Sequence, residues 1–530
     1  MAGVSVLIMV GVLAGANRYA DGDMGHLIAV EMRVAQLLRA GDLGLAAHLW
    51  WALITPQPPL GYSPGIVAYT IFGFQPWVAP MVMGLSLLLI WDGLWRVWER
   101  RAWMGWIGVC ASPMVWLAVE QHSRDLLAAA ALVQAWSWLA ASRGFRLRIP
   151  ACAFGVWLGI GFMTKYTFPI FAAPICLGTG VGLLVHASRE RWKHLGFSVL
   201  GFLLPAGVWY TMRGSAVLEY VGFSSGAEMA ANTANYRDSS TLESLLYYPL
   251  ALRDALSLPG AALVAVASFL GLRSREFQSP VALALAGVAG GIGILSTLPE
   301  AIDRYALPAS VLLLAILPAL GNRLAAALPI ALCFMPMTAY TLGRFKAGAP
   351  EVTAAYDHPL QSASALAWPY PPTYRPSDLD PAAWKLGEVV AAIHAAKGES
   401  TGTIGILSGR GPTAGPTFAT VLIEAAGAGL AYDYATVNTQ NHPRAHPIFV
   451  GPLFDGEWPS AEFTVLVAFR TAQGDPNVDA WLRAHPMTEV TRVLGANGGS
   501  STVYRHSGNM QPGASTPRGP GGSLPAEHAE

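Results

Sequence analysis

Two aspartates one residue apart, Asp21 and Asp23, are the first residues whose types and spacing could do chemistry. They follow the first apolar segment, and Gly22 and Gly25 flank Asp23. Carboxylates this close repel each other, which raises one pKa, and such a group suits a general base in a partly dry cleft. Alternatively, they are solvated caps at the end of an apolar segment. The two glycines, together with Glu31 in the helix-like run that follows, favour the wall of an active site.

Three short connections between apolar segments carry further ionisable residues. They are Glu120-Gln121-His122-Ser123-Arg124-Asp125, Gly161-Phe162-Met163-Thr164-Lys165-Tyr166 and Glu300-Ala301-Ile302-Asp303-Arg304-Tyr305. Ionisable groups at membrane depth are expensive to maintain and are functional candidates by default. The plainer interpretation is a set of hydrated turns, in which Arg124 beside Asp125 is only a local pair. His26 and His122 flank the acidic stretches, and lone histidines such as these are more often structural than metal-binding.

The composition indicates which kind of protein fold positions these residues. Of 530 residues, 53% are hydrophobic and only 12% are charged, about half of the charged fraction usual in soluble domains. The net charge is zero, which excludes the basic field of a nucleic-acid-binding protein. All four cysteines lie in apolar segments without the spacing of a metal site or a disulfide framework. We therefore predict a polytopic α-helical membrane protein with a small C-terminal α/β soluble domain.

About eleven apolar segments are long enough to count as transmembrane helices. They span residues 1–16, 77–95, 103–119, 125–141, 149–163, 167–185, 196–210, 258–272, 280–298, 306–320 and 325–341. The first segment is short but lacks the positive start of a signal peptide, so we interpret it as a retained span. Residues 1–341 are thus predicted to form one transmembrane domain.

The charges of the connecting loops predict the orientation. Twelve lysines and arginines fall in one set of short loops, whereas the alternate set holds only Arg124, Lys165 and Arg304. Cytoplasmic loops carry the positive excess, so loops 17–76 and 211–257 and everything after about residue 342 are expected outside the cytoplasm. The predicted location is the inner (plasma) membrane, crossed many times.

The C-terminal part changes character. We predict a linker at 342–376, an extracytoplasmic α/β domain at 377–506 and a disordered tail at 507–530. Within the domain, a helix is predicted from Asp380-Pro381 to about Gly398 and a second at 417–428. The predicted strands are Thr403–Leu407, Phe463–Phe469 and Thr502–Tyr504. Gly409-Arg410-Gly411 is followed by Pro412 and indicates a turn, not a dinucleotide site.

Several stretches, taken in order, resemble the C-type membrane glycosyltransferases of the family 39-like branch, which includes protein mannosyltransferases and the lipid A aminoarabinose transferase. They are the acidic stretch with Asp21 and Asp23 and the run 37–42; Thr55-Pro56-Gln57-Pro58-Pro59-Leu60-Gly61-Tyr62; Arg124-Asp125-Leu126; Gly159-Ile160-Gly161-Phe162-Met163-Thr164-Lys165; and Arg304-Tyr305-Ala306-Leu307-Pro308. The resemblance covers about residues 1–320. It departs from the family at Gln57, where a lysine is usual, and at Asp21-Gly22-Asp23, where an Asp-Glu pair is usual.

The resemblance implies transfer of a sugar from a polyprenyl-phosphate donor to a lipid, glycan or protein acceptor on the extracytoplasmic face of the cell envelope. Lys165 and Arg304, with Arg124 third, would meet the charge that grows on the leaving phosphate. Asp23 or Asp21 would be the general base, and Asp125 a second acid that orients the acceptor. Asp21, Asp23 and Asp125 could also share a divalent cation such as Mg²⁺ or Mn²⁺.

Two other functions remain open at this stage. A transporter or flippase for a lipid-linked sugar would use the same groove and cations without a catalytic base. Such proteins often contain inverted repeats, and the sequence shows no internal repeat. A non-catalytic envelope assembly protein would use its outer domain to bind partners, with the acidic stretch merely solvated.

Overall fold

The computed structural model describes residues 2–15, 22–53, 58–75, 77–120, 122–185, 188–224, 242–256, 258–298, 303–321, 385–397, 404–407, 434–437, 465–470, 487–494 and 500–506. The predicted span at 325–341, the linker 342–376, the helix at 417–428 and the tail 507–530 lie outside these ranges. So do Asp21, Gln57 and the predicted helix start at Asp380.

The chain up to residue 321 is helical in the described residues. Its α-helices are α1 (Ala2–Gly15), α2 (Gly22–Arg39), α3 (Leu43–His48), α4 (Ser63–Phe72), α5 (Val78–Trp98), α6 (Ala102–Ala111), α7 (Pro113–Glu120), α8 (Arg124–Ala141), α9 (Arg148–Phe162), α10 (Phe168–Val185), α11 (Arg189–Ser224), α12 (Leu242–Leu256), α13 (Leu258–Arg273), α14 (Gln278–Ser296) and α15 (Leu307–Leu314). Short turns of π-helix at Leu49–Leu53 and 3₁₀-helix at Pro59–Gly61 and Asp303–Ala306 connect some of them.

Ten of the eleven predicted apolar segments contain helix. Four helical stretches of the described chain are long and apolar enough to cross a membrane: Val78–Ala111, Phe168–Val185, Arg189–Ser215 and Gln278–Ser296. The predicted segment 103–119 divides into α6 and α7 where Pro113 begins a new helix, since proline lacks the backbone N–H needed to continue the old one. The polytopic α-helical membrane fold is confirmed.

Close backbone contact holds the helices around α8 and α9 together. α8 packs between α5 and α9, and α9 packs along α11. A Cβ at Gly155 would lie 1.8 Å from the carbonyl oxygen of Ser198, so only glycine allows α9 to approach α11 this closely. The ends of α8 and α9 that carry the ionisable turns are thereby fixed relative to each other.

The C-terminal part forms a mixed five-stranded sheet in the order β2-β1-β3-β5-β4. The strands are β1 (Ile404–Leu407), β2 (Tyr434–Val437), β3 (Val465–Arg470), β4 (Met487–Leu494) and β5 (Ser500–His506). β2, β1 and β3 are parallel, whereas β5 and β4 are antiparallel to their neighbours. Helix α16 (Leu386–Lys397) packs on the sheet, which confirms the predicted α/β domain and adds β2 and β4, which were not predicted.

Candidate functional site

The turn before α8 places Asp125 against Lys165. Ser123 caps α8, and its hydroxyl donates to Asp125 Oδ2 at 3.1 Å. Lys165, just after α9, lies with Nζ 2.5 Å from Asp125 Oδ1. Both side chains are buried, so this pair is removed from solvent and depends on the bonds within it.

The aromatic ring of Tyr305 packs over Lys165. Lys165 Nζ lies 4.5 Å from the centre of the Tyr305 ring, which is cation–π geometry. The hydroxyl of Tyr305 is also 3.4 Å from that of Tyr166. The Arg304-Tyr305 stretch is therefore brought onto the lysine of the 159–165 stretch, although 139 residues separate the two tyrosines.

The turn that ends in Gly61-Tyr62 packs against Arg124, the residue before Asp125. Arg124 Cζ lies 4.7 Å from the centre of the Tyr62 ring. A Cβ at Gly61 would lie 2.4 Å from the carbonyl oxygen of Thr164 and 2.9 Å from Arg124 Cδ. Three of the sequence stretches thus meet at van der Waals distance. We call Tyr62, Arg124, Asp125, Lys165 and Tyr305 the motif cluster.

Arg124 has hydrogen-bonding capacity left within this cluster. The residue is only 3% exposed, yet its Nε and Nη1 have no hydrogen-bond partner among the described residues. Leaving buried donors unsatisfied is costly, more so in a charged group. A guanidinium in this state suits an anion such as a phosphate, which it can bind through two parallel bonds.

Behind Arg124 lies a second buried pair, formed by Glu31 of α2 and His122. His122 Nε2 hydrogen-bonds Glu31 Oε1 at 3.0 Å and lies 2.8 Å from Oε2. Burial raises the pKa of the Glu31 carboxyl, although His122 and Arg124 oppose the rise. Burial lowers the pKa of His122, but the charge and hydrogen bond of Glu31 outweigh this, so the net pKa of His122 is raised. Neither residue lies in a candidate membrane span.

Comparison with solved structures identifies the architecture. The crystal structure of ArnT from Cupriavidus metallidurans bound to undecaprenyl phosphate matches with a TM-score of 0.60, covering 95% of this chain and 97% of that one. The apo ArnT structure matches with a TM-score of 0.60 over 94% and 97%. The chain has the fold of a C-type membrane glycosyltransferase. Identity is 14% in both comparisons, and neither a family model nor a curated protein sequence matches the chain. The resemblance predicted from the sequence is therefore confirmed at the level of the fold.

The predicted site residues divide into two groups in this C-type fold. Arg124, Asp125 and Lys165 come together in the motif cluster. Asp23 lies in the first turn of α2, so it belongs to a helix and not to a loop. Arg304 lies in the 3₁₀-turn Asp303–Ala306, next to Tyr305 of the cluster. The side chains of Asp23 and Arg304 and the whole of Asp21 lie outside the described residues, so their roles stay predictions.

Of the three aspartates that could share a divalent cation, the structure describes the side chain of Asp125. Both oxygens of Asp125 already accept hydrogen bonds, one from Lys165 and one from Ser123. Among the described residues, no group of three or more His, Cys, Asp or Glu side chains is arranged to hold a metal. We therefore derive no step of the chemistry through a metal.

Sequence reasoning missed how Glu31, His122, Gly61 and Tyr62 contribute. In the sequence, Glu31 is only a carboxylate in the run after the acidic stretch, and His122 has the structural interpretation that is usual for a lone histidine. The available signal was an ionisable residue in an apolar context, because Glu31 is preceded by Ala29-Val30 and followed by Met32. A carboxylate placed among apolar neighbours on a helix needs a buried partner.

Proposed function

We propose that the chain is a membrane glycosyltransferase that moves a sugar from a polyprenyl-phosphate donor to an acceptor on the extracytoplasmic face. The observation that carries this proposal is the motif cluster. Four separate sequence stretches converge on two buried cations, and one of these cations has unsatisfied hydrogen-bond donors. The similarity to ArnT, one structure of which holds undecaprenyl phosphate, supports a lipid phosphate as the anion.

The reaction has a simple balance of bonds. The acceptor hydroxyl oxygen forms a bond to the anomeric carbon as the bond between that carbon and the phosphate oxygen breaks. The polyprenyl phosphate leaves with the electron pair, and the hydroxyl proton passes to a carboxylate base. Breaking the bond to the anomeric carbon places negative charge on the phosphate, so fixed cations beside it lower the barrier.

We assign the leaving phosphate to Arg124, Lys165 and Arg304. Arg124 offers the unsatisfied donors, and Lys165 is held in one place by Asp125 and Tyr305. A cation that is already oriented before the donor arrives loses little entropy on binding. Asp125 therefore acts on the phosphate through Lys165, and we assign it a positioning role.

We assign the base to Asp23, with Asp21 as its orienting neighbour. Asp23 lies in the first turn of α2, eight residues before Glu31 on the same helix. Eight residues correspond to about 12 Å along the helix axis. Because Glu31 is buried, it fixes the helix that also carries Asp23. Asp21 lies outside the described residues, and its orienting role is proposed from the sequence alone. In the same proposal the domain at 377–506 lies outside the cytoplasm.

The test is sugar transfer in isolated membranes from radiolabelled polyprenyl-phosphate sugars, comparing wild type with Asp23→Asn and Asp21→Asn. We expect Asp23→Asn to abolish transfer and Asp21→Asn to weaken it less. Asp42→Asn is the matched control, because Asp42 caps the next helix through an exposed hydrogen bond to the Leu45 N–H. If Asp21→Asn is inactive and Asp23→Asn is active, the two roles are reversed.

The same assay separates the two other functions. A transporter would move the lipid-linked sugar across the membrane with no label reaching an acceptor, and Asp23→Asn would not change that movement. A non-catalytic assembly protein would neither transfer nor move the donor. Normal transfer by both Asp23→Asn and Asp21→Asn would remove the proposed base.

A further inference from the structure

Glu31 occupies a space that the fold keeps open for it. The carboxylate is fully buried in the middle of α2 and faces Gly65 of α4. A Cβ at Gly65 would lie 1.8 Å from Glu31 Oε2, so any other residue there would expel the carboxylate. Burying an ionisable group costs several kcal/mol unless it is paired, so this residue has a partner that compensates the cost.

That partner is His122, and its surroundings determine how many protons the pair holds. His122 Nδ1 lies 3.2 Å from the carbonyl oxygen of Ala79, and Nε2 faces the Glu31 carboxylate. A carbonyl and a carboxylate both accept hydrogen bonds, so the imidazole satisfies both only when the pair carries a proton beyond the neutral ring's own. His122 also holds a backbone φ of +53°, which is uncommon for a residue with a side chain.

The Glu31–His122 pair is linked to Arg124 in two ways, through the peptide chain and through electrostatic attraction. His122 is two residues before Arg124, and the Arg124 charge stabilises the ionised form of Glu31. This attraction does not use the Nε or Nη1 donors of Arg124, which have no hydrogen-bond partner among the described residues. Glu31 can thus balance the buried arginine while leaving those donors open to a ligand.

We propose that Glu31 and His122 are positioning residues for the donor phosphate: their buried pair fixes the turn before α8 and keeps Arg124 in place and open to an anion. This inference rests on the proposed function, since it concerns the same phosphate. Neither residue touches the substrate in it. Each acts through Arg124, whose guanidinium is held by the Tyr62 ring on one side.

The charged and titratable groups around the pair set its expected response to pH. Glu31 comes from α2, Tyr69 from α4, Arg124 from α8 and His122 from the turn, with the Ala79 carbonyl from α5. Loss of the pair's proton as the pH rises leaves an additional negative charge beside Arg124. An anionic ligand should therefore bind more weakly as the pH rises through that titration.

The test uses the full-length protein in lipid nanodiscs, with undecaprenyl phosphate as the probe and its Kd measured from pH 6 to 9. In metal sites, removing the outer partner of a ligand typically costs about 10- to 100-fold, and by the same logic Glu31→Gln and His122→Asn should each raise the Kd by at least about tenfold. In both variants the additional pH dependence of the wild type should disappear. The titration of the probe itself is the same in every variant and cancels in the comparison.

Two controls separate positioning from general destabilisation. Asp92→Asn removes a carboxylate from another ion pair, with Arg96, and should leave the Kd unchanged. If Glu31→Gln does not fold, His122→Asn alone decides the matter, with size-exclusion elution as the check of folding. Variants that fold and bind the probe as the wild type does, with the same pH dependence, would overturn the proposal.

The Kd also separates this inference from the proposed function. If the wild type binds the probe but transfers no sugar, the transferase proposal fails while the positioning role is still measured. If transfer occurs and the Kd is insensitive to both substitutions, only the positioning role fails.

Discussion

Lys165 and Asp125 form a buried ion pair across 40 residues of sequence, with Nζ 2.5 Å from Oδ1. In the sequence, Lys165 is one of only three cations on the short loops expected outside; in the structure it has a carboxylate on one side and the Tyr305 ring on another. Its charge is therefore oriented before any donor binds. The pairing also links stability to function, because removing either partner leaves the other buried without compensation.

Lys165→Met should reduce both stability and sugar transfer. Breaking a buried pair from one side costs about 3–5 kcal/mol of unfolding free energy, and removing a cation that meets a developing phosphate charge costs on the order of 10²-fold in rate. The double substitution Lys165→Met with Asp125→Asn should recover most of the stability and none of the transfer. Thermal unfolding in detergent and the membrane transfer assay measure the two effects.

Arg492→Met is the control for the stability measurement. Arg492 forms an exposed ion pair with Glu489 on strand β4, so its loss should change the unfolding free energy little. If the double variant transferred sugar at the wild-type rate, Lys165 would have no part in meeting the phosphate.

Gly61→Ala should impair transfer because the turn at Pro59–Gly61 has no room for a Cβ. The new atom would lie 2.4 Å from the Thr164 carbonyl oxygen, a backbone atom that cannot move aside alone. The turn must then move off Arg124, and we expect a larger donor KM and a lower kcat. Gly44→Ala in α3 is the matched control, as nothing lies within 4 Å of its Cβ position. Equal activity of the two variants would show that the close contact is not needed.

Much of this structure could be predicted from sequence because apolar runs and motifs are local signals. The ten spans that contain helix, the strands β1, β3 and β5 and the convergence of Arg124, Asp125 and Lys165 follow from hydropathy, β-rich runs and motif order. The fold-level resemblance to a C-type glycosyltransferase has the same origin, and ArnT confirms it.

The rest depends on tertiary contacts that no local pattern contains. Helices α4 and α12 lie in regions predicted only as long loops, and α11 continues past its predicted end at residue 210 to Ser224. The Glu31–His122 pair joins residues 91 positions apart, so neither residue alone signals the other. Strands β2 and β4 are edge strands, and β4 exposes Val490 and Leu494, which weakens the pattern of burial that marks a strand in sequence.

The orientation of the bundle gives a prediction that does not depend on the chemistry. Twelve cations against three on the short loops place Gly144 inside and Gly398 outside. A reporter active only in the periplasm should therefore be silent when fused at Gly144 and active at Gly398. A fusion at Gly44 is the control, since it lies in the loop region predicted to be outside. The opposite result at either test position would place the motif cluster on the wrong side for an extracytoplasmic acceptor.

The buried Glu31–His122 pair also predicts how stability changes with pH. The pKa of His122 is raised in the folded state, so the native protein binds more protons than the unfolded chain above about pH 6.5, the ordinary value for histidine. The pKa of Glu31 is raised too, which acts in the same direction. When the native state binds more protons, the free energy of unfolding falls as the pH rises. The stabilisation by His122 is therefore complete below about pH 6.5 and is lost as the pH passes through its folded pKa.

The measurement is the unfolding temperature in detergent between pH 6 and 9, for wild type and for His122→Asn. We expect the wild type to lose stability more steeply with rising pH, because the variant has no imidazole to discharge. His194→Asn is the matched control: its Nδ1 also lies near a backbone carbonyl, that of Phe145 at 2.9 Å, but no ion pair with a carboxylate is found for it among the described residues. This control should keep the wild-type slope. Parallel curves for wild type and His122→Asn would mean that the pair does not exchange its proton in this range, and the pH dependence expected for phosphate binding would then have no source.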